Sequence, residues 1–232
     1  MRAKTRALGQ HFLADRHVLG RIIFASALGK DETACEAGAG NGVLTEELCK
    51  RAGRVISYEV DRGLYENARS LGFENLQLVN ADLFKVKAAE FDVFVSNLPY
   101  SRSRDAMQWL ATMRFQRAIV TVQREFADKI SARPGDENYR AISAICSYCF
   151  KIERLFAVGK DAFNPPPKVE SEVLRLVPVH TITPEAVKKV NGLFSQRNKK
   201  ATKVAARMGV QVDFGDRRVD QLEPEEIMRM AA

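Results

Sequence analysis

Up to about residue 180, short apolar runs rich in β-branched residues alternate with segments whose apolar positions recur every three to four residues. The runs at 31–38, 54–60, 75–83, 91–97 and 117–123 predict five strands. Between them, 43–53 and 61–72 carry helical periodicity and stop at Gly53 and Gly72, and 125–135 predicts a helix broken by Pro134-Gly135. Two last runs, 148–158 and 170–179, flank a proline-rich loop with no helix between them, so antiparallel pairing is expected there. The alternation predicts an α/β fold: a Rossmann-like sheet, mostly parallel with its last strand antiparallel, and helices on both faces. After Pro184 the pattern is helical. The expected division is a sheet domain over 1–180 and a small helical domain over 181–232.

Composition narrows this picture. The chain has 232 residues, 46% hydrophobic and 28% charged, enough for a full core. No run of apolar residues is long enough for a membrane span, and no apolar segment follows the basic start as in a secretory signal. Lys plus Arg number 36 against 29 Asp plus Glu, and the +7 balance suits a polyanionic partner. Cys146 and Cys149 have CxxC spacing, but one pair cannot complete a four-ligand zinc site, and Cys35 and Cys49 lie far upstream. Reduced, buried thiols in a cytoplasmic chain are expected, with no metal and no membrane association.

In an open parallel sheet, ligands bind beyond the carboxyl ends of the strands. Gathered there are the loop Gly38-Ala39-Gly40-Asn41-Gly42, preceded by Glu36, then Glu59, Asp82 and Asn97. Glu59 follows Gly40 by 19 residues at a strand end, where an acid can hold two ribose hydroxyls. Asp82 suits an adenine amine. The fourth strand ends in Asn97-Leu98-Pro99-Tyr100, which a nicotinamide enzyme does not require and a methyl donor explains. An aromatic amine is a poor nucleophile because its lone pair is delocalised into the ring. The Asn97 side-chain oxygen and the Leu98 carbonyl, which Pro99 holds in extended backbone, can grip the two N–H bonds and redirect that pair. Tyr100 offers a face for the base to stack on. S-adenosyl-L-methionine is therefore the expected cofactor.

These residues resemble the small-subunit ribosomal RNA adenine dimethyltransferases (the KsgA family) over nearly the whole chain. LGQHFL (8–13), EAGAGNGVLTEEL, YEVD, NAD, NLPYS, AFNPPPKVESEV (162–173), LFSQRNKKATK (193–203) and RRVDQLEPEEI (217–227) follow in the family's order. The RPGDENY insert and compact tail look most like archaeal members. The resemblance implies that His11, Leu13, Gly38, Gly40, Glu59, Asp82 and Asn97 surround the methyl donor. It also implies that Phe163 forms a second wall around a flipped adenine. Two departures stand out: Arg102-Ser103-Arg104-Asp105 follows NLPYS where the family has an apolar residue and small hydroxyl residues, and Arg197-Asn198 replaces paired arginines.

Arg197, Lys200, Lys203 and Arg207 fall near one helical stripe, and Phe194, Ala201, Val204 and Met208 near another. One amphipathic helix with a basic face is expected, Lys199 joining its RNA contacts and Arg102 and Arg104 tracking the strand that enters the site. The implied activity is dimethylation of two adjacent adenosines near the 3′ end of small-subunit rRNA, by a monomer whose partner is the small ribosomal subunit or its precursor. Three rivals stay open: a large-subunit rRNA methyltransferase of the antibiotic-resistance type, a DNA adenine methyltransferase, and a non-catalytic ribosome-assembly factor on the same fold.

Overall fold

The computed structural model describes residues 11–231. The basic arm over 2–6 and the first part of the LGQHFL motif lie outside the described residues. The strands are β1 (Phe12–Leu13), β2 (Thr33–Ala37), β3 (Arg54–Tyr58), β4 (Leu76–Val79), β5 (Val93–Asn97), β6 (Arg117–Gln123), β7 (Phe150–Val158), β8 (Phe163–Asn164) and β9 (Ser171–Pro178). The helices are α1 (Arg16–Ser26), α2 (Val43–Arg51), α3 (Arg62–Arg69), α4 (Ser103–Leu110), α5 (Arg124–Ile130), α6 (Ala141–Cys149), α7 (Pro184–Phe194), α8 (Ala201–Arg207) and α9 (Pro224–Ala231).

Seven strands form one sheet in the order β4-β3-β2-β5-β6-β9-β7. Pairing is parallel from β4 through β6, and β9 enters antiparallel against β6, with Ala118 opposite Leu176 and Gln123 opposite Ser171. The parallel strands read as continuous apolar runs because they are covered on both sides: Val93, Phe94, Val95, Ala118, Ile119 and Val120 are all fully buried. The order reverses between β2 and β5, so a crevice opens beyond their carboxyl ends.

By contacts the chain forms two compact units. The first comprises residues 11–106, 114–124 and 153–177, and holds most of the sheet. Its core packs Val18, Leu19, Ile22 and Ile23 of α1 and Leu44 and Leu48 of α2 with the strand residues Val55, Val93, Val95 and Ile119. Asp15 starts α1 by accepting from the backbone N–H groups of His17 and Val18.

The second unit comprises 107–113, 125–152 and 178–231, so the helical tail is joined there by α5 and α6. Tyr139 anchors it. The side chain is fully buried, its hydroxyl donates to the Leu222 carbonyl at 3.2 Å, and its ring meets Phe194 edge-on at 5.5 Å. All four cysteines are free and buried, and burial pushes the Cys49 and Cys149 thiols up to about 12, out of nucleophilic range. Among the described residues no helix is long and apolar enough to cross a membrane.

The expected amphipathic helix over 194–208 is corrected. α7 ends at Phe194, turns occupy 195–199, and α8 starts only at Ala201. The physical reason is a partner segment, met through an isolated antiparallel bridge between Lys200 and Arg218. Val219 N–H donates to the Lys199 carbonyl, Ala201 N–H to the Arg217 carbonyl and Asp220 N–H to the Arg197 carbonyl. Backbone that answers residues 217–220 cannot also make helical bonds. Arg197 and Lys199 therefore sit in turns, and Met208, expected on the buried face, is 40% exposed.

Candidate active site

Two adjoining cavities lie over the carboxyl ends of β2, β3 and β5. The smaller, about 60 Å³, is lined by His11, Leu13, Glu36, Gly40 and Asn97, among others. The larger, about 370 Å³, is lined by Tyr58, Asp82, Phe84, Leu98 and Arg102, among others. Gly38, Glu59 and Pro99 border both. The structure thus brings together the glycine loop, two strand-end acids and the residues after β5.

The loop needs its glycines for separate reasons. Gly38 takes φ +85°, and no atom lies within 4 Å of the place where a Cβ would stand. At Gly40, φ is +56° and a Cβ would press on the Phe12 ring at 3.1 Å. Glu59 holds the loop in shape: one carboxylate oxygen accepts from Gly40 N–H at 2.9 Å, the other from Asp61 N–H at 2.8 Å.

Asn97 ends β5. Its Nδ2 donates to the His11 carbonyl at 3.0 Å, which fixes the amide's orientation and leaves Oδ1 as an acceptor. His11 is tied in turn, its Nδ1–H donating to the Pro165 carbonyl at 2.8 Å. β1 and β8 form a two-stranded ladder with Phe12 opposite Asn164 and Leu13 opposite Phe163. This ladder carries the start of the described chain to the proline-rich loop. The Tyr100 hydroxyl bonds Ser171 Oγ at 2.6 Å, and its ring lies 5.3 Å from that of His11. Burial raises the Tyr100 phenol above its usual range.

Some expected site residues stand elsewhere. Phe163 is 3% exposed and belongs to the core cluster with Leu13, lining neither cavity. Arg102 is bound to Asp82 and Asp105, so the expected phosphate contact finds its guanidinium already engaged. Arg104 is exposed in the first turn of α4. In the helical unit Lys199, Lys203 and Arg207 are exposed, whereas Lys200 is paired with Asp216 and caps α8. Among the described residues no group of three or more His, Cys, Asp or Glu could hold a metal ion.

Glu36 carried no assigned role from sequence, although an acid inside the apolar stretch 33–37 was a signal. It is fully buried. Thr45 and Ser57 hydroxyls both donate to its Oε2 at 2.6 Å, and Oε1 has no partner. Burial pushes its carboxyl up to about 7 from an ordinary 4.5, against those two hydrogen bonds, and the Glu59 charge adds to the rise. Between those values the folded chain keeps a proton that the unfolded chain has lost. Stability of the ligand-free protein therefore falls as pH rises from about 4.5 to about 7 and levels off above. Glu36→Gln, which keeps both hydroxyl bonds, is expected to remove this slope. Melting curves between about pH 5 and pH 8 check it: the variant should gain on the parent as pH rises, and parallel curves would reject the assignment.

Comparison with known proteins agrees with this geometry. A family model described as ribosomal RNA adenine dimethylase matches residues 1–215. The ribosomal RNA small subunit methyltransferase A of Thermotoga neapolitana is 36% identical, covering 96% of this chain and 88% of the relative. Among solved structures, a dimethyladenosine transferase from Plasmodium falciparum superposes with a TM-score of 0.79 at 25% identity, over 95% of this chain and 96% of the other. The 23S rRNA methyltransferase ErmE gives a TM-score of 0.67 at 26% identity, over 95% and 98%. A glycine loop, two strand-end acids and Asn97, Leu98 and Pro99 around two adjoining cavities, in a chain matched by that model over most of its length, place this protein in the ribosomal RNA adenine dimethylase family.

Proposed function

We propose that this chain transfers methyl groups from S-adenosylmethionine to the N6 amines of two adjacent adenosines near the 3′ end of small-subunit rRNA, giving dimethyladenosines during ribosome biogenesis. The observation that carries the reading is the Asn97 amide, held through Nδ2 so that Oδ1 remains an acceptor at the wall of the smaller cavity. The small-subunit target rests on the sequence relative's name.

The residues present fit the methyl donor, which supplies an electrophilic methyl group on a sulfonium. The partnerless Glu36 Oε1 suits an α-ammonium in the smaller cavity, where His11 and Leu13 would flank the amino-acid end. The open space over Gly38 admits a ligand against the backbone. Glu59, bordering both cavities, suits the ribose hydroxyls, and Asp82 in the larger one suits the adenine amine. Asn97 Oδ1 and the Leu98 carbonyl then accept the target amine's N–H bonds, and Tyr100 holds the base by stacking. Aligning amine and methyl carries much of the barrier reduction. No ionisable base is needed before transfer, since the amine's proton becomes acidic only once methylated and can leave to water.

Docking would rest on Lys203 and Arg207 along α8, with Lys199 and Arg197 in the preceding turns. Reversing Lys203 and Arg207 to Glu should leave cofactor binding intact, weaken subunit binding and flatten its salt dependence by roughly two counterion-release steps. Lys200→Glu is a poor probe because it would set a second acid against Asp216. Titrations at several salt concentrations check this, and unchanged affinity would make the basic face merely solvated.

The decisive experiment gives labelled S-adenosylmethionine and unmodified small subunits to the protein and maps the methylated bases. Dimethylation of two neighbouring adenosines is expected. Transfer to large-subunit RNA alone would favour the ErmE-like alternative, and absence of any transfer the assembly-factor reading.

A further inference from the structure

Asp82 and Arg102 reach the larger cavity from the ends of different strands, β4 and β5. Arg102 Nη2 donates to both Asp82 oxygens, at 3.0 and 2.9 Å, while Nη1 reaches Asp105 Oδ2 at 3.0 Å. Its Cζ stands 5.2 Å from the centre of the Phe84 ring. Its backbone is also fixed, its N–H donating to the Pro99 carbonyl at 2.8 Å in the 3-10 turn Tyr100–Arg102. An arginine spread between two carboxylates and leaning on an aromatic ring is committed to the cavity wall.

The acceptor count on Asp82 shows what this does. Oδ1 takes the Phe84 N–H at 3.1 Å and Arg102; Oδ2 takes Arg102 and lies 3.7 Å from Lys85 Nζ, whose side chain is 74% exposed. A carboxylate offers about four acceptor directions, and three are filled. The remaining one, on Oδ2, matches a single N–H donor. We propose that Arg102 is a positioning residue that orients the Asp82 carboxylate toward the 6-amino group of the methyl donor and thereby sets selectivity for a 6-amino over a 6-oxo purine. The inference deepens the proposed function and rests on its reading of the larger cavity as the adenosine end. A 6-oxo purine would set an oxygen against the fixed carboxylate, and Arg102 could swing over to relieve it only by giving up its bonds to two acids. Without the guanidinium, Asp82 keeps only the Phe84 N–H on Oδ1 as a hydrogen bond, and its Oδ2 is no longer held in one direction. The amine then loses an aligned acceptor and the oxo group loses an aligned opponent.

The test is calorimetry with S-adenosylhomocysteine and its inosine counterpart, S-inosylhomocysteine. The proteins are the parent, Arg102→Leu, Arg102→Lys, Asp82→Ala and the Leu/Ala double variant, each checked by melting curve. The parent should prefer the adenosine form. Arg102→Leu should bind it about tenfold more weakly while the inosine form changes less than about twofold, so that the preference collapses. Arg102→Lys should recover part of the preference, since an ammonium can still hold one oxygen but not both acids. In the Asp82→Ala background, Arg102→Leu should add nothing. Equal weakening of both ligands would reduce Arg102 to a structural residue and overturn the proposal. So would an intact preference together with weaker, less salt-dependent subunit binding, which would return Arg102 to the RNA path. If Asp82→Ala itself leaves the preference intact, the adenosine reading of the cavity fails. If Asp82→Ala loses it and Arg102→Leu does not, only the positioning role fails.

Discussion

Asn97→Ala is expected to lower methyl transfer by about a hundred- to a thousand-fold, the size of loss seen when one preorganised polar contact to a developing charge is removed. Cofactor affinity should change little by comparison. The argument rests on position: Asn97 closes β5, its Nδ2 is committed to the His11 carbonyl, and Oδ1 is left for the target amine. Single-turnover methyl transfer beside cofactor titration separates the effects, and a variant that transfers methyl at the parental rate would end the mechanism. Tyr100 supplies the paired control. Tyr100→Phe keeps the ring face and gives up only the bond to Ser171, so a few-fold loss is expected. Tyr100→Ala removes a stacking face worth roughly 1–3 kcal/mol, which is about five- to 160-fold in transfer.

Glu59→Ala should weaken S-adenosylmethionine binding by about ten- to a hundred-fold, because a hydrogen bond to a charged group is worth roughly 1.5–3 kcal/mol. The same carboxylate clamps Gly40 and Asp61, so two backbone donors lose their partner at once. A fall in melting temperature of a few degrees is expected alongside, at about 2–4 °C per kcal/mol for a chain of this size. Calorimetry well below the transition separates binding from unfolding. Unchanged affinity in a loosened but folded variant would mean that Glu59 serves the loop alone, and would reopen which ligand the loop serves.

Much of the site was legible because its signals are local. β6 occupies 117–123 as the apolar run predicts, and Gly40, Glu59, Asp82 and Asn97 meet where parallel strand ends must meet. α1 and α6 were less legible. The α6 sequence, AISAICSYC, is apolar nearly all round, and a buried helix of that kind has no polar face to reveal its period. The pairing of Arg102 was hidden for a related reason. A basic residue beside an active site looks available to phosphate until the acid that holds it, twenty residues back in sequence, is seen at 2.9 Å.

The sequence by itself determined the seven strands of the main sheet, the glycine loop and the Asn-Leu-Pro-Tyr turn, because each depends on residues adjacent in the chain and on strand ends that share one edge. Only the tertiary structure decided the contacts that close over long separations. β1 and β8 are two residues each, too short for any periodicity, yet their pairing joins Leu13 to Phe163 and draws Phe163 into the core. The pairing of 197–201 with 217–220 breaks an otherwise plausible amphipathic helix and turns Lys200 onto Asp216. Pattern reports which face of a segment prefers burial. Which backbone groups find partners, and which charges are spent on each other, depends on what the rest of the chain brings alongside.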